Sequence, residues 1–316
     1  MHYLTPQAFA RARDFLKTQA RPLDRALFEV HFEQAAAERA LAELEKFQND
    51  DGGFGHALEP DMRTPSSSAL ATGIGLTVLK DLGCPAAHPL VRGAVAYLLQ
   101  TFDAQQNIWR VIPRDANDHP HAPWWHDEDG SLARTFGGFP IIPRAQLIGL
   151  LHHYAKDVPA GWLQAVTERT VADSETLEDL GSGGGDDLRY TLSLAETPAL
   201  PEAFRSRLRI RLRAIAPQTV SRDPQTWESY CIPPLKLAPS PDSIVADLLQ
   251  DVMPAYLDYL IAHQTDAGTW EPTWTWGDFY PDVWPQAKLE WRGHLTLETL
   301  TSLQAYGRIN SSSLSL

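Results

Sequence analysis

Carboxylates, imidazoles and indoles gather at three places in this chain, and each grouping has chemistry within reach. The first is His56, Glu59 and Asp61. A carboxylic acid buried among aromatics is tuned towards neutral pH, and beside an imidazole it can serve as general acid and base. The competing role is structural, with Asp61 or Glu59 capping a helix or pairing with Arg63. The second grouping is His119, His121, Trp124, Trp125, His126 and Asp127. Adjacent indoles can line an apolar cavity, stabilise a carbocation through their ring faces or stack on a sugar. The histidine spacing is a weak metal signal without a cysteine or a His-Glu-x-x-His helix, so no metal and no cofactor is expected. Packing of the loop against its scaffold is the alternative. The third grouping is Trp270, Trp274, Trp276, Tyr280, Trp284, Glu290, Trp291 and Arg292. Here Glu290 or Asp282 could supply a second carboxylate, against a seam of aromatics with a Glu290 to Arg292 surface pair.

The elements that must position these groups announce themselves by repetition. Phe47-Gln48-Asn49-Asp50-Asp51-Gly52-Gly53-Phe54 aligns without a gap on Phe102-Asp103-Ala104-Gln105-Gln106-Asn107-Ile108-Trp109 and on His263-Gln264-Thr265-Asp266-Ala267-Gly268-Thr269-Trp270. In each, a helix-like run ends, a polar turn follows, and an aromatic closes the unit. Gly or Asn at the sixth position tolerates the left-handed backbone that ends a helix, and the aromatic two residues later can fold back over the last turn. Such repeats imply stacked helical pairs, none of which buries its apolar face alone.

Helices are expected at Pro6 to before Pro22 with Thr5 as cap, Leu23 to Phe32, Ala35 to Phe47, from the Ser66 to Ser68 caps to Gly83, and from Pro89 to Phe102. Residues 109–143 lose the helical period and form a long aromatic loop. Further helices are expected at Arg144 to Tyr154, where one of His152 and His153 is buried, and at Gly161 to Val171, Asp187 to Ala195 and Pro201 to Ile215. The rest fall at Ser243 to Leu249, Met253 to His263 and Leu295 to Tyr306, with a second aromatic loop at 270–284 and a frayed tail after Arg308. Gly181 to Gly185 reads as a flexible tip, not a phosphate cradle, because Asp186 and Asp187 stand where Lys-Ser/Thr would follow. The class is all-α, with no convincing strand alternation.

A net charge of -13 argues against nucleic acid and anionic membranes, and the arginines from Arg205 to Arg213 read as a solvated helix face. Cys84 and Cys231, the only cysteines, suit a reducing cytosol. No stretch offers eighteen apolar residues, so a cytoplasmic protein without a transmembrane segment is expected.

Gln48-x-x-x-Gly52-x-Phe54 and Gln264-x-x-x-Gly268-x-Trp270 resemble the QW motif of triterpene cyclases and of protein prenyltransferase beta subunits. QNDDGGFGHALEPD, PHAPWW and KLEWRGHLTLETL look like a group of small bacterial prenyltransferase- or squalene-cyclase-like proteins. The resemblance implies a single α/α toroid over residues 1–316, about six helical hairpins around a cavity. Its catalytic motifs are incomplete. Asp127-Glu128-Asp129-Gly130 is one aspartate short of D-x-D-D, neither Asp50-Asp51 nor Asp186-Asp187 completes D-D-x-x-D, and neither cysteine belongs to a D-x-C zinc pair, which leaves His294 without partners for a zinc site.

The reading is a terpene-cyclase-like lyase or isomerase, working on a hydrophobic isoprenoid-like molecule by metal-independent acid-base chemistry. Asp61, Glu59, His56 and Glu290 are its catalytic candidates; Trp124, Trp125, His121, Trp270, Trp276 and Trp291 are its substrate-binding candidates. Two rivals stand beside it: a carbohydrate-active hydrolase or lyase on a helical toroid, and a ligand- or protein-binding scaffold that catalyses nothing.

Overall fold

A computed structural model describes residues 1–135, 138–176 and 185–309. The Gly181 to Gly184 part of the glycine-rich tip and the tail from residue 310 lie outside them. Thirteen α-helices and one two-residue antiparallel strand pair occur among the described residues, so the chain is all-α. It forms two compact units, Glu45–Gln218 and the pair of segments Met1–Leu44 and Thr219–Leu316.

In the two-segment unit, α1 (Pro6–Thr18) starts as its sequence dictates: the Thr5 hydroxyl accepts from Ala8 N–H at 3.2 Å, and Phe9, Ala12, Phe15 and Leu16 are its buried face. α2 (Pro22–Glu33) contributes Phe28 and Phe32, whose rings lie 6.2 and 5.7 Å from that of Phe9. Gln34 ends it with left-handed backbone, and α3 (Glu38–Glu45) is shorter at both ends than the expected Ala35 to Phe47. The last helix, α13 (Trp284–Ala305), packs on both α1 and α2. Asp24, almost fully buried at their junction, is neutralised by Arg21 at 2.8 Å. Leu4 bridges to Ile309, so α13 and α1 are tied together although they stand at opposite ends of the sequence.

In the other unit, α4 (Ala69–Asp81) is capped by Ser68, which accepts from Ala71 N–H at 3.0 Å, and Gly83 terminates it at φ 69°. α5 (Pro89–Thr101) follows and pairs with α4. Between residues 109 and 143 lies one short helix, α6 (Ser131–Thr135), that periodicity does not reveal. α7 (Arg144–His153) packs against α4, α8 (Ala160–Thr176) and α9 (Asp186–Ala195). On α7, His152 bonds the Thr167 hydroxyl at 2.8 Å while His153 is exposed. α10 (Glu202–Thr219) runs past Ile215 and accommodates Pro217 near its end.

Two expectations need correction. Residues 243–249 hold only a 3-10 turn, Ala246–Leu249; α11 (Pro234–Leu237) is an unforeseen short helix ahead of α12 (Met253–Ala262). α13 begins at Trp284 and not at Leu295, because Pro285 occupies its first turn, where a missing N–H costs nothing. The second repeat turn carries the strand pair, β1 (Phe102–Asp103) with β2 (Ile108–Trp109).

All three repeat turns adopt the backbone that their sixth residue permits: φ is 86° at Gly52, 58° at Asn107 and 83° at Gly268. The first and third are built alike in detail. Gln48 Nε2 donates to Gly52 O at 2.8 Å and to Leu90 O at the start of α5 at 2.9 Å; Gln264 Nε2 donates to Gly268 O at 3.1 Å and to Ala8 O at the start of α1 at 3.0 Å. The N–H of the closing aromatic then donates to a buried threonine, Phe54 to Thr72 on α4 and Trp270 to Thr296 on α13. In the second turn the Gln is replaced by Asp103, and Arg144 Nη1 from α7 donates instead to Asn107 O at 2.6 Å. The indoles do fold back: Trp109 Nε1 bonds Leu98 O, and Trp270 Nε1 bonds Leu260 O, each at 2.8 Å.

Candidate functional site

The segment after the first repeat turn is a chain of tight turns, with Leu58 N–H bonded to Gly55 O and Met62 N–H to Glu59 O. Gly55 allows it to lie against the next stretch, since a Cβ there would meet Pro65 O at 2.3 Å. Folding this way drives Glu59 and Asp61 inward to 7% and 3% exposure. His56 goes outward on left-handed backbone, and its Nε2 lies 2.7 Å from Asn49 Oδ1. Asn49 spends its amide protons on Pro65 O and the Ser67 hydroxyl, so His56 Nε2 is the donor in that bond. The imidazole locks the turn from its surface.

A short antiparallel pairing brings the second grouping beside the first. Ala122 N–H donates to Asp61 O at 2.8 Å and Arg63 N–H to Pro120 O at 2.9 Å, with Met62 opposite His121. His121 is completely buried. Its Nδ1 donates to His119 O at 2.6 Å, which leaves Nε2 as the acceptor for His126 Nδ1 at 3.1 Å, and the two rings stack at 5.4 Å. Burial is the main cause that lowers the His121 pKa, and the neighbouring His126 lowers it further, so His121 is neutral at pH 7. Trp124 and Trp125, half-buried on a 3-10 turn, follow directly.

α9 adds charged groups that are partly buried. Burial pushes the Asp187 carboxyl up to about 6; the charge of Asp186 acts in the same direction, and a bond from the Ile142 N–H opposes them. The Arg189 guanidinium lies 4.4 Å over the Tyr190 ring. Burial raises the Tyr190 phenol, and the charges of Asp186 and Glu59 both reach it. Glu59, Asp186, Arg189 and Tyr190 therefore share one electrostatic environment. Sequence reasoning passed over Asp187 and Tyr190 because Asp186-Asp187 completes no metal motif; the available signal was a pair of aspartates in the first turn of an apolar helix. Among the described residues, no three His, Cys, Asp or Glu side chains converge as a metal would require.

The third grouping belongs to the two-segment unit. Trp270 caps α12 through its indole, Trp276 is buried with its ring 5.5 Å from that of Trp284, and Trp291 stands edge-on to Trp274 at 5.1 Å. Glu290 is buried and accepts from Gln286 at 2.9 Å. The expected Glu290 to Arg292 surface pair is not what forms: Arg292 lies 3.3 Å from Glu271, over the ring of Phe15.

Comparison of the chain with known protein families, with curated proteins and with solved structures returns no match. No helix among the described residues is long and apolar enough to cross a membrane.

Proposed function

We propose that this protein carries out metal-independent acid-base chemistry on a hydrophobic, isoprenoid-like small molecule, in the manner of a terpene cyclase. The observation that carries the reading is the Asp187 carboxyl, held up to about 6 beside a second acidic group and within the unit that buries Glu59 and Asp61. A carboxylic acid that holds its proton up to about pH 6, well above an ordinary aspartate, is the group from which an apolar double bond could be protonated. Trp124 and Trp125, linked to Asp61 through the Met62 and His121 pairing, are the aromatic faces that would stabilise the resulting cation. Supporting it, Gln48 and Gln264 each close their turn by hydrogen bonding, and these are the two turns that resemble the QW motif of the toroidal cyclases and prenyltransferases; a toroid of helical hairpins in the cytoplasm is the arrangement proposed. The net charge of -13 favours a small molecule over nucleic acid as the partner.

The test is native mass spectrometry of the protein purified from its own host, followed by lipid and metabolite extraction. A bound polyprenyl or terpenoid compound, lost in Asp61→Asn or Asp187→Asn protein that still folds, is the expected result. A bound sugar would replace this reading with glycan chemistry, and a protein free of any small molecule would replace it with a binding scaffold.

A further inference from the structure

A cavity of about 10 Å³ opens against Glu59, between the turns at 55–64 and the start of α4. That size matches one water molecule, for which roughly 10–15 Å³ by this measure is the threshold. Met62, Leu70 and Ile112 supply apolar wall, and Glu59, Ser66 and Ser68 supply the polar groups. Their commitments differ. The Ser66 hydroxyl donates to Asp115 Oδ2 at 2.7 Å. The Ser68 oxygen accepts from Ala71 N–H at 3.0 Å as the cap of α4, a bond that leaves its own proton to donate. Glu59 is a buried carboxylate, with up to four lone-pair positions to fill.

We propose that this cavity is a binding site for a single ordered water that accepts from the Ser68 hydroxyl and donates to the Glu59 carboxylate. A water needs two to four polar partners to be held inside a protein, and these two suffice. The water hydrates a carboxylate that folding has removed from solvent, and it fixes the plane of the carboxyl group within the acid centre. The inference deepens the reading above and rests on Glu59 belonging to that centre, but the water itself is detectable whether or not a terpenoid binds.

A crystal structure of the full chain at high resolution tests it directly. One spherical density peak within hydrogen-bond distance of both Glu59 and Ser68 Oγ is expected; a dry cavity, or a side chain swung into it, would overturn the proposal. Ala71, which lines the cavity and bonds Ser68 through its main-chain N–H alone, gives the second arm while both polar side chains stay in place. In Ala71→Val, water-oxygen magnetic relaxation dispersion should lose one long-lived water, because the two added methyl groups fill the space that holds it. An unchanged count of long-lived waters contradicts the assignment.

Discussion

Glycine conformation separates two kinds of constraint that look identical in sequence. Gly52 and Gly83 both hold positive φ, at 86° and 69°. A Cβ at Gly83 meets nothing within 4 Å, whereas at Gly52 it would lie 2.4 Å from the Gly93 carbonyl oxygen on α5. Gly83→Ala should therefore cost about 1 kcal/mol, the price of left-handed backbone alone. Gly52→Ala adds a clash with main chain that cannot swing away, and a total of about 3 kcal/mol or more is expected. Urea denaturation of the two variants decides the matter, and equal losses would refute the distinction. Asp187 offers a test by pH. Its folded carboxyl titrates near 6 and the unfolded one near ~3.9, so the unfolded chain ionises first as pH rises. Stability is then undiminished below about pH 4, falls between about pH 4 and pH 6, and carries a constant penalty of at most roughly 3 kcal/mol above that. Asp187→Asn removes the penalty, and should gain stability on the wild type between pH 4 and pH 7.5. A difference between the two proteins that does not change with pH would show that Asp187 is not held protonated.

At the level of elements, the turn is the unit that repeats, and it was legible because its chemistry is local. A left-handed residue and, two positions later, an aromatic that closes the unit are contained in one short string in all three turns. The partners outside that string were not legible: nothing near Gln48 names Leu90, and nothing near Asn107 names Arg144. The candidate site divides along the same line. Glu59, Asp61 and His121 stand out by type and spacing, but burial of Asp187 is a product of packing between α9 and the segment around Ile142, which no sequence window contains. α13 starts at Trp284, where the aromatic loop expected over 270–284 ends, and its first turns carry no apolar period as clear as that from Leu295 onwards. Gln48→Ala and Gln264→Ala each delete two hydrogen bonds in matching positions, and each should destabilise its own unit by about 1–3 kcal/mol. Hydrogen exchange resolves the two: protection should fall around α5 in the first variant and around α1 in the second. The reverse pattern, or a uniform loss, would mean that the glutamines do not anchor the helices they touch.

Across the whole molecule, the same arrangement is reached by two different routes through the chain. In one unit the turn at Gln48 leads to the threonine helix α4, then through residues 82–88 to the helix α5 that receives the glutamine. In the other, the turn at Gln264 leads to the threonine helix α13, while the receiving helix α1 comes from the far end of the sequence. There the link between the two helices is not covalent. Leu4 N–H donates to Arg308 O at 2.8 Å, Arg308 donates to His2 O at 2.7 Å, and Asp258 holds both Arg308 and the His2 N–H. Burial alone would raise Asp258, but the His2 N–H and Arg308 pull its carboxyl down to about 2, so the clasp persists until strongly acid pH. If side-chain and main-chain bonds suffice to hold α13 against α1, the peptide connector between α4 and α5 is not required to hold that pair either. A protease site inserted between Ala86 and Ala87, shortly before the buried Leu90, puts this to use. Cleavage there should leave helical circular dichroism and the elution volume of the intact chain unchanged, with the two fragments co-eluting under native conditions. Separation of the fragments, or loss of helix on cleavage, would show that the covalent connector carries the pairing in this unit and that the two routes are not equivalent.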